Sequence, residues 1–143
     1  MADRVIEELH QDECLELIRP GGIGRIAYVG RFGPTVLPVN YKVQDGAIVF
    51  RTAENGPLDE DLRTGIAGAD YKVAFEIDVI DTAARRGWSV LVQGPAHHVT
   101  GAEEDAVRAA GVESWAPGDR ELFVRIVPSR VTGRRVGPPE AER

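Results

Sequence analysis

A single cysteine, Cys14, stands in the 143 residues, so no internal disulfide can brace the fold. A reducing compartment, the cytoplasm, is the simplest setting for such a chain. No apolar run approaches the roughly 18–20 residues of a membrane-spanning helix, and no membrane partner is expected. Positive charge is in short supply, with 17 Lys and Arg against 23 Asp and Glu and a formal net charge of −6. That balance repels phosphate backbones and anionic lipid, which sets nucleic acid aside as a partner. The opening "MADRVIEELH" lacks the cationic start and apolar centre of a secretory signal, and it reads as an acidic helix. Histidine and cysteine are too sparse and scattered to complete a metal site. His97 and His98 adjoin each other in a strand pattern, so their side chains point to opposite faces.

What the chain does have is an ordinary globular share of apolar residues, 43%, enough for one buried core. A single domain over residues 1–136 with a flexible tail at 137–143 is expected. "QDECLELIRPGG" sets Cys14, Leu15, Leu17 and Ile18 on one helical side, with Pro20-Gly21-Gly22 as the stop. From "GRIAYVG" the period falls to two. In "TVLPVNYKV", Leu37, Val39, Tyr41 and Val43 share one face, opposite Val36, Pro38, Asn40 and Lys42. "AIVFRT" is a third strand, and "PLDEDLRTGI" a short helix with Pro57 in its first turn. "KVAFEIDVI" places Val73, Phe75, Ile77 and Val79 against Lys72, Glu76 and Asp78. "WSVLVQGPAHHV" is a fifth strand with a break expected near Gly94-Pro95, and "AEEDAVRAAG" a second helix ended by Gly111. "ELFVRIVP" is a sixth strand, and "RVTGRRV" a short segment after it. Short antiparallel strands joined by turns, with few helices, make this a mostly β protein, a β-barrel with peripheral helices.

Two strings that imitate known motifs fail on context. Gly22-Ile23-Gly24-Arg25-Ile26-Ala27 matches a dinucleotide-binding fingerprint, but that fingerprint needs a strand before it and a helix after it, and here the order is reversed. Ser89 in "GWSVL" lacks the second glycine of a nucleophile elbow and sits within a strand. Cys14, on an apolar helix face, suits a buried structural thiol. "RTAENGPLDE" withstands the same scrutiny. An arginine, a hydroxyl and a glycine turn ahead of a helix N-terminus can hold a phosphate, and can equally be a plain strand-to-helix connection.

Taken in order, "GRIAYV", "VLPVNYKVQDGAIVFRTA", "KVAFEID", "GWSVLVQGPAHHV" and "FVRIVPSRVTGRRV" resemble the pyridoxamine 5'-phosphate oxidase-like family of flavin-binding split barrels. The resemblance spans about Gln11 to Val136. It implies a six-stranded antiparallel split barrel of the FMN-binding type, a homodimer, and FMN sites at the subunit interface. It further implies that the backbone of Pro38, Val39 and Asn40 lies along the flavin ring. Arg51 and Thr52 would meet the phosphate, with Gly56 in the following turn. Trp88 and Ser89 would reach the flavin from a neighbouring strand, that of the other subunit.

Two departures from the family pattern qualify those roles. Pro57 stands where flavin-holding members carry a lysine, and Glu54, Asp59, Glu60 and Asp61 surround that turn with negative charge. The arginine-rich C-terminal substrate motifs of the biosynthetic oxidase are missing, which argues against vitamin B6 synthesis. The expectation is an FMN-dependent oxidoreductase acting on a small molecule. A deazaflavin-dependent reductase, or a cofactor-poor binding or regulatory dimer of the same fold, remain open beside it.

Overall fold

The computed structural model describes residues 5–53, 58, 59, 62, 71–112 and 122–137. Strand β1 (Val5–Leu9) leads into helix α1 (Gln11–Ile18), whose Cys14 and Ile18 are buried. At its start the Glu13 carboxylate accepts the His10 N–H at 3.3 Å. The helix ends because Gly21 takes φ +79°, where a Cβ would also lie 2.9 Å from the Tyr41 carbonyl. Tyr41 in turn donates its hydroxyl to the Ile18 carbonyl at 2.9 Å, tying the helix end to the sheet.

Strands β2 (Gly22–Gly30), β3 (Gly33–Gln44) and β4 (Ala47–Thr52) follow as antiparallel hairpins. Strands β5 (Tyr71–Asp81) and β6 (Arg86–His98) form a longer hairpin, with α2 (Ala102–Ala109), β7 (Leu122–Ile126) and β8 (Arg130–Gly137) after it. The sheet order is β1-β8-β6-β5-β2-β3-β4-β7, and β7 pairs again with β6. Strands β2 to β7 therefore close a six-stranded antiparallel barrel, while β8 and β1 extend the sheet beyond it. The barrel is filled by alternate inward residues, centred on Phe75, which packs edge-on to Tyr41 and stacks with Phe50. A smaller core of Val49, Val99, Val107, Val112 and Phe123 lies outside the barrel, beneath α2. Among the described residues no helix is long and apolar enough to cross a membrane.

The expected helix at the N-terminus is instead strand β1 over Val5–Leu9. Strand β8 offers it a free edge, and the register sets Glu7 opposite Arg135 and Glu8 opposite Arg134. Pairing opposite charges across that ladder outweighs the local helical preference of an acidic pentapeptide. The "RVTGRRV" segment is thereby a full strand. Nor does the fifth strand break: β6 runs on through Gly94-Pro95, and what changes there is its neighbour. Up to Gln93 one edge of β6 pairs with β8, and from Ala96 the same edge pairs with β7. The chain between β7 and β8 crosses directly over Gly94, where a Cβ would sit 2.0 Å from the Val127 carbonyl oxygen.

Backbone atoms in that crossing have no room to yield, so Gly94→Ala is expected to cost about 1–3 kcal/mol. Val36→Ala, at a position 60% exposed, is the control and should cost less than about 0.5 kcal/mol. Urea denaturation of both variants measures this, and equal midpoints would show that the close crossing is not needed.

Candidate functional site

The β3–β4 ladder is short. It runs from Gln44↔Ala47 to Tyr41↔Phe50 and stops, although β3 continues back to Gly33 in full register with β2. Beyond Tyr41, no described strand pairs with β3 on its β4 side. The Pro38-Val39-Asn40 stretch lies on this edge, bare of strand partners among the described residues, and Arg51 and Thr52 stand at its head. Strand alternation turns Pro38 and Asn40 outward and Val39 inward onto the core.

Thr52 continues the inward row of Ile48 and Phe50 and is 8% exposed. Arg51 faces outward instead. Its guanidinium lies 5.5 Å from the centre of the Phe123 ring and donates to the Val112 carbonyl at 3.4 Å. A guanidinium seated on an aromatic ring keeps its orientation at low entropic cost. Gly56, with Pro57 and the glycine turn, lies outside the described residues.

Trp88 and Ser89 are consecutive in β6, so their side chains lie on opposite faces of the sheet. Ser89 faces outward opposite Asp78, whereas Trp88 faces the other way opposite Val79 and Arg135. Strands β5 and β2 lie between Ser89 and the bare β3 edge, roughly 14 Å of sheet. One chain therefore unites Pro38, Val39 and Asn40 with Arg51 and Thr52, and leaves Trp88 and Ser89 apart from them.

Between these two places sits a charged cluster that the sequence reading passed over. Arg25 pairs across β2–β5 with Glu76, at 3.4 Å, and reaches Asp78 at 3.6 Å. Glu76 is pushed up to about 7, first by burial and then by the hydrogen bond and charge of Asp78, against the opposing pull of Arg25. The i, i+2 acids in "FEID" were its signal, since they must share one strand face. A second contact had no local signal at all. His98 hydrogen-bonds Asp59, a residue 1% exposed, at 2.7 Å across 39 positions of sequence.

Six antiparallel strands closed into a barrel, with the sheet extended beyond it by β8 and β1, define a split-barrel fold. The pyridoxamine 5'-phosphate oxidase family pattern matches residues 10–135, and the chain belongs to that family. A Mycobacterium tuberculosis protein of uncharacterized role, Rv0080, is 33% identical over 133 residues, 93% of this chain and 87% of its own. The FAD-binding protein from Mycobacterium smegmatis superposes with a TM-score of 0.71 at 32% identity, covering 90% of this chain and 97% of that one. A candidate pyridoxamine 5'-phosphate oxidase from Corynebacterium glutamicum superposes with a TM-score of 0.74 at 29% identity, covering 98% and 100%.

Glu76 links this face to pH. Its carboxyl titrates higher in the folded chain than in the unfolded one, so folding favours the protonated form. The stability it contributes is complete below the unfolded value near 4.5 and is lost as pH rises to about 7. Glu76→Gln should therefore flatten the fall in stability between pH 5 and 8. Denaturation midpoints across that range check this, and an unchanged pH dependence would deny the coupling.

Proposed function

We propose that the protein is a flavin-binding oxidoreductase that holds FMN at the interface of a homodimer and acts on a small molecule. The observation that carries this reading is the bare β3 edge with Arg51 and Thr52 at its head. The donor set suits a flavin nucleotide. Arg51 offers a charge-assisted hydrogen bond to a phosphate, whereas the Thr52 side chain faces the core and marks only the strand end. The β3 edge at Val39 offers backbone groups to the polar rim of the ring, and Pro38 a flat apolar surface. When bound, the flavin supplies the redox chemistry, while the chain positions it and excludes water. The FAD-binding M. smegmatis relative supports a flavin as the ligand class.

The distance between the two halves of the predicted site supports the homodimer reading. Ser89 cannot join Pro38 and Arg51 across the width of two strands within one chain, but a second copy can bring it there. Exposed apolar residues on β2 and β3, Val29 at 61% and Val36 at 60%, give such a copy something to cover.

Titration of the purified protein with FMN, FAD and riboflavin tests the cofactor. Arg51→Met retains packing on Phe123 and removes the charge. It should weaken FMN binding by about 1.5–3 kcal/mol, ten- to a hundred-fold, and leave riboflavin unchanged. A wild type that binds no flavin, or FMN and riboflavin equally, would sink the phosphate role. Sedimentation should give a dimer at micromolar concentration, and a stable monomer would remove the shared site.

A further inference from the structure

The β5–β6 hairpin outruns the barrel, and its far end carries a cavity of about 310 Å³. The cavity lies on one face of the three-stranded extension, because Val79↔Trp88, Asp81↔Arg86 and Trp88↔Arg135 are cross-strand neighbours of the same parity. Val79 and Trp88 make its apolar wall, and Arg86, Arg135, Asp81 and Val136 also line it. Val79 belongs by alternation to the core row of Val73, Phe75 and Ile77, yet it is 58% exposed. Helix α1 covers this face only as far as Glu13 and Cys14: Glu13 reaches Arg135 at 4.0 Å, and a Cβ on Gly133 would meet the Cys14 sulfur at 2.6 Å. Among the described residues, no element covers the rest of this apolar face.

The charges at the cavity are unequally satisfied. Arg135 is balanced by Glu7 at 3.5 Å and by Glu13. Asp81 accepts the Ala84 N–H at 3.0 Å and caps the hairpin turn. Arg86 has no hydrogen bond or ion pair among the described residues, so it is the cation with unspent capacity at an apolar wall. We propose that this cavity binds a small anion with an apolar or aromatic body, the carboxylate at Arg86 and the body against Trp88 and Val79. The size agrees, since about 300 Å³ is the lower end for small-molecule clefts. The pairing of a guanidinium with a carboxylate beside an aromatic wall supplies both orientation and discrimination against neutral analogues.

This site is distinct from the bare β3 edge. Trp88 points away from the outward face that Ser89 shares with Asp78, so occupancy of one does not require the other. Its use as a substrate site of an oxidoreductase rests on the flavin reading above, whereas binding of the anion does not.

Benzoate and benzamide are suitable probes, followed through the Trp88 indole N–H signal in nuclear magnetic resonance spectra and assigned with Trp88→Phe. Benzoate should shift that signal saturably, and benzamide should bind at least tenfold more weakly. Arg86→Gln should reduce the preference to within about twofold. Val79→Asp, at an exposed position that leaves the core intact, should abolish benzoate binding by placing a negative charge at the wall. FMN, if it binds, should leave the benzoate affinity unchanged. Absence of a saturable shift, equal binding of the two probes, an undiminished preference in Arg86→Gln, or displacement of benzoate by FMN would each overturn the proposal. Failure of FMN to bind at all would defeat the flavin reading and leave the benzoate result standing.

Discussion

Strand β6 gives one edge to two successive partners, and the rest of the molecule is arranged around that division. Pairing with β7 at Ala96–His98 closes the barrel, and pairing with β8 from Gly87 to Gln93 opens a sheet that leads away from it. The change of partner needs the chain to cross β6 at close range. Ser129 donates its N–H to Gln93 at 2.8 Å and Val127 donates to Pro95 at 3.1 Å, bracketing Gly94. Only a residue without a side chain fits between those two bonds. A barrel closed this way keeps its core dry while the extension leaves an apolar face outside it.

The same economy governs the candidate site. Strand β4 spans Ala47–Thr52 whereas β3 spans Gly33–Gln44, so much of β3 has no strand partner on its β4 side among the described residues. Such an edge is a liability for aggregation unless something covers it. A planar ligand with hydrogen-bonding groups along its rim, together with a second copy of the chain, covers it without lengthening β4. The fold thus makes its binding edge by shortening a strand, and the ring-seated Arg51 fixes a cation at the end of that edge.

The barrel was legible because alternation is a local property. Leu37, Val39, Tyr41 and Val43, and likewise Val73, Phe75 and Ile77, face inward as their spacing requires. Strands β1 and β8 were not legible, because Glu7 and Glu8 choose a strand only when Arg135 and Arg134 are opposite them. Val79 kept the period of the core but lay past the end of the barrel, a limit that no periodicity encodes. The roles of Pro38, Asn40, Arg51 and Thr52 came from resemblance, and their common location follows from where the β3–β4 ladder stops. Arg25, Glu76 and Asp78 could be read singly as polar-face residues. Their meeting depended on the β2–β5 register, fixed by contacts some fifty residues apart in sequence.

The proposed flavin nucleotide site is formed by the β3 edge beyond Tyr41 together with the end of β4. Backbone amide spectra recorded during FMN titration test it most directly, since each described strand residue other than proline reports separately. Saturable shifts should concentrate at Val39, Asn40, Arg51 and Thr52, with a second group at Ser89 from the partner copy. Shifts confined to other strands, or no shifts with FMN in large excess, would overturn this assignment.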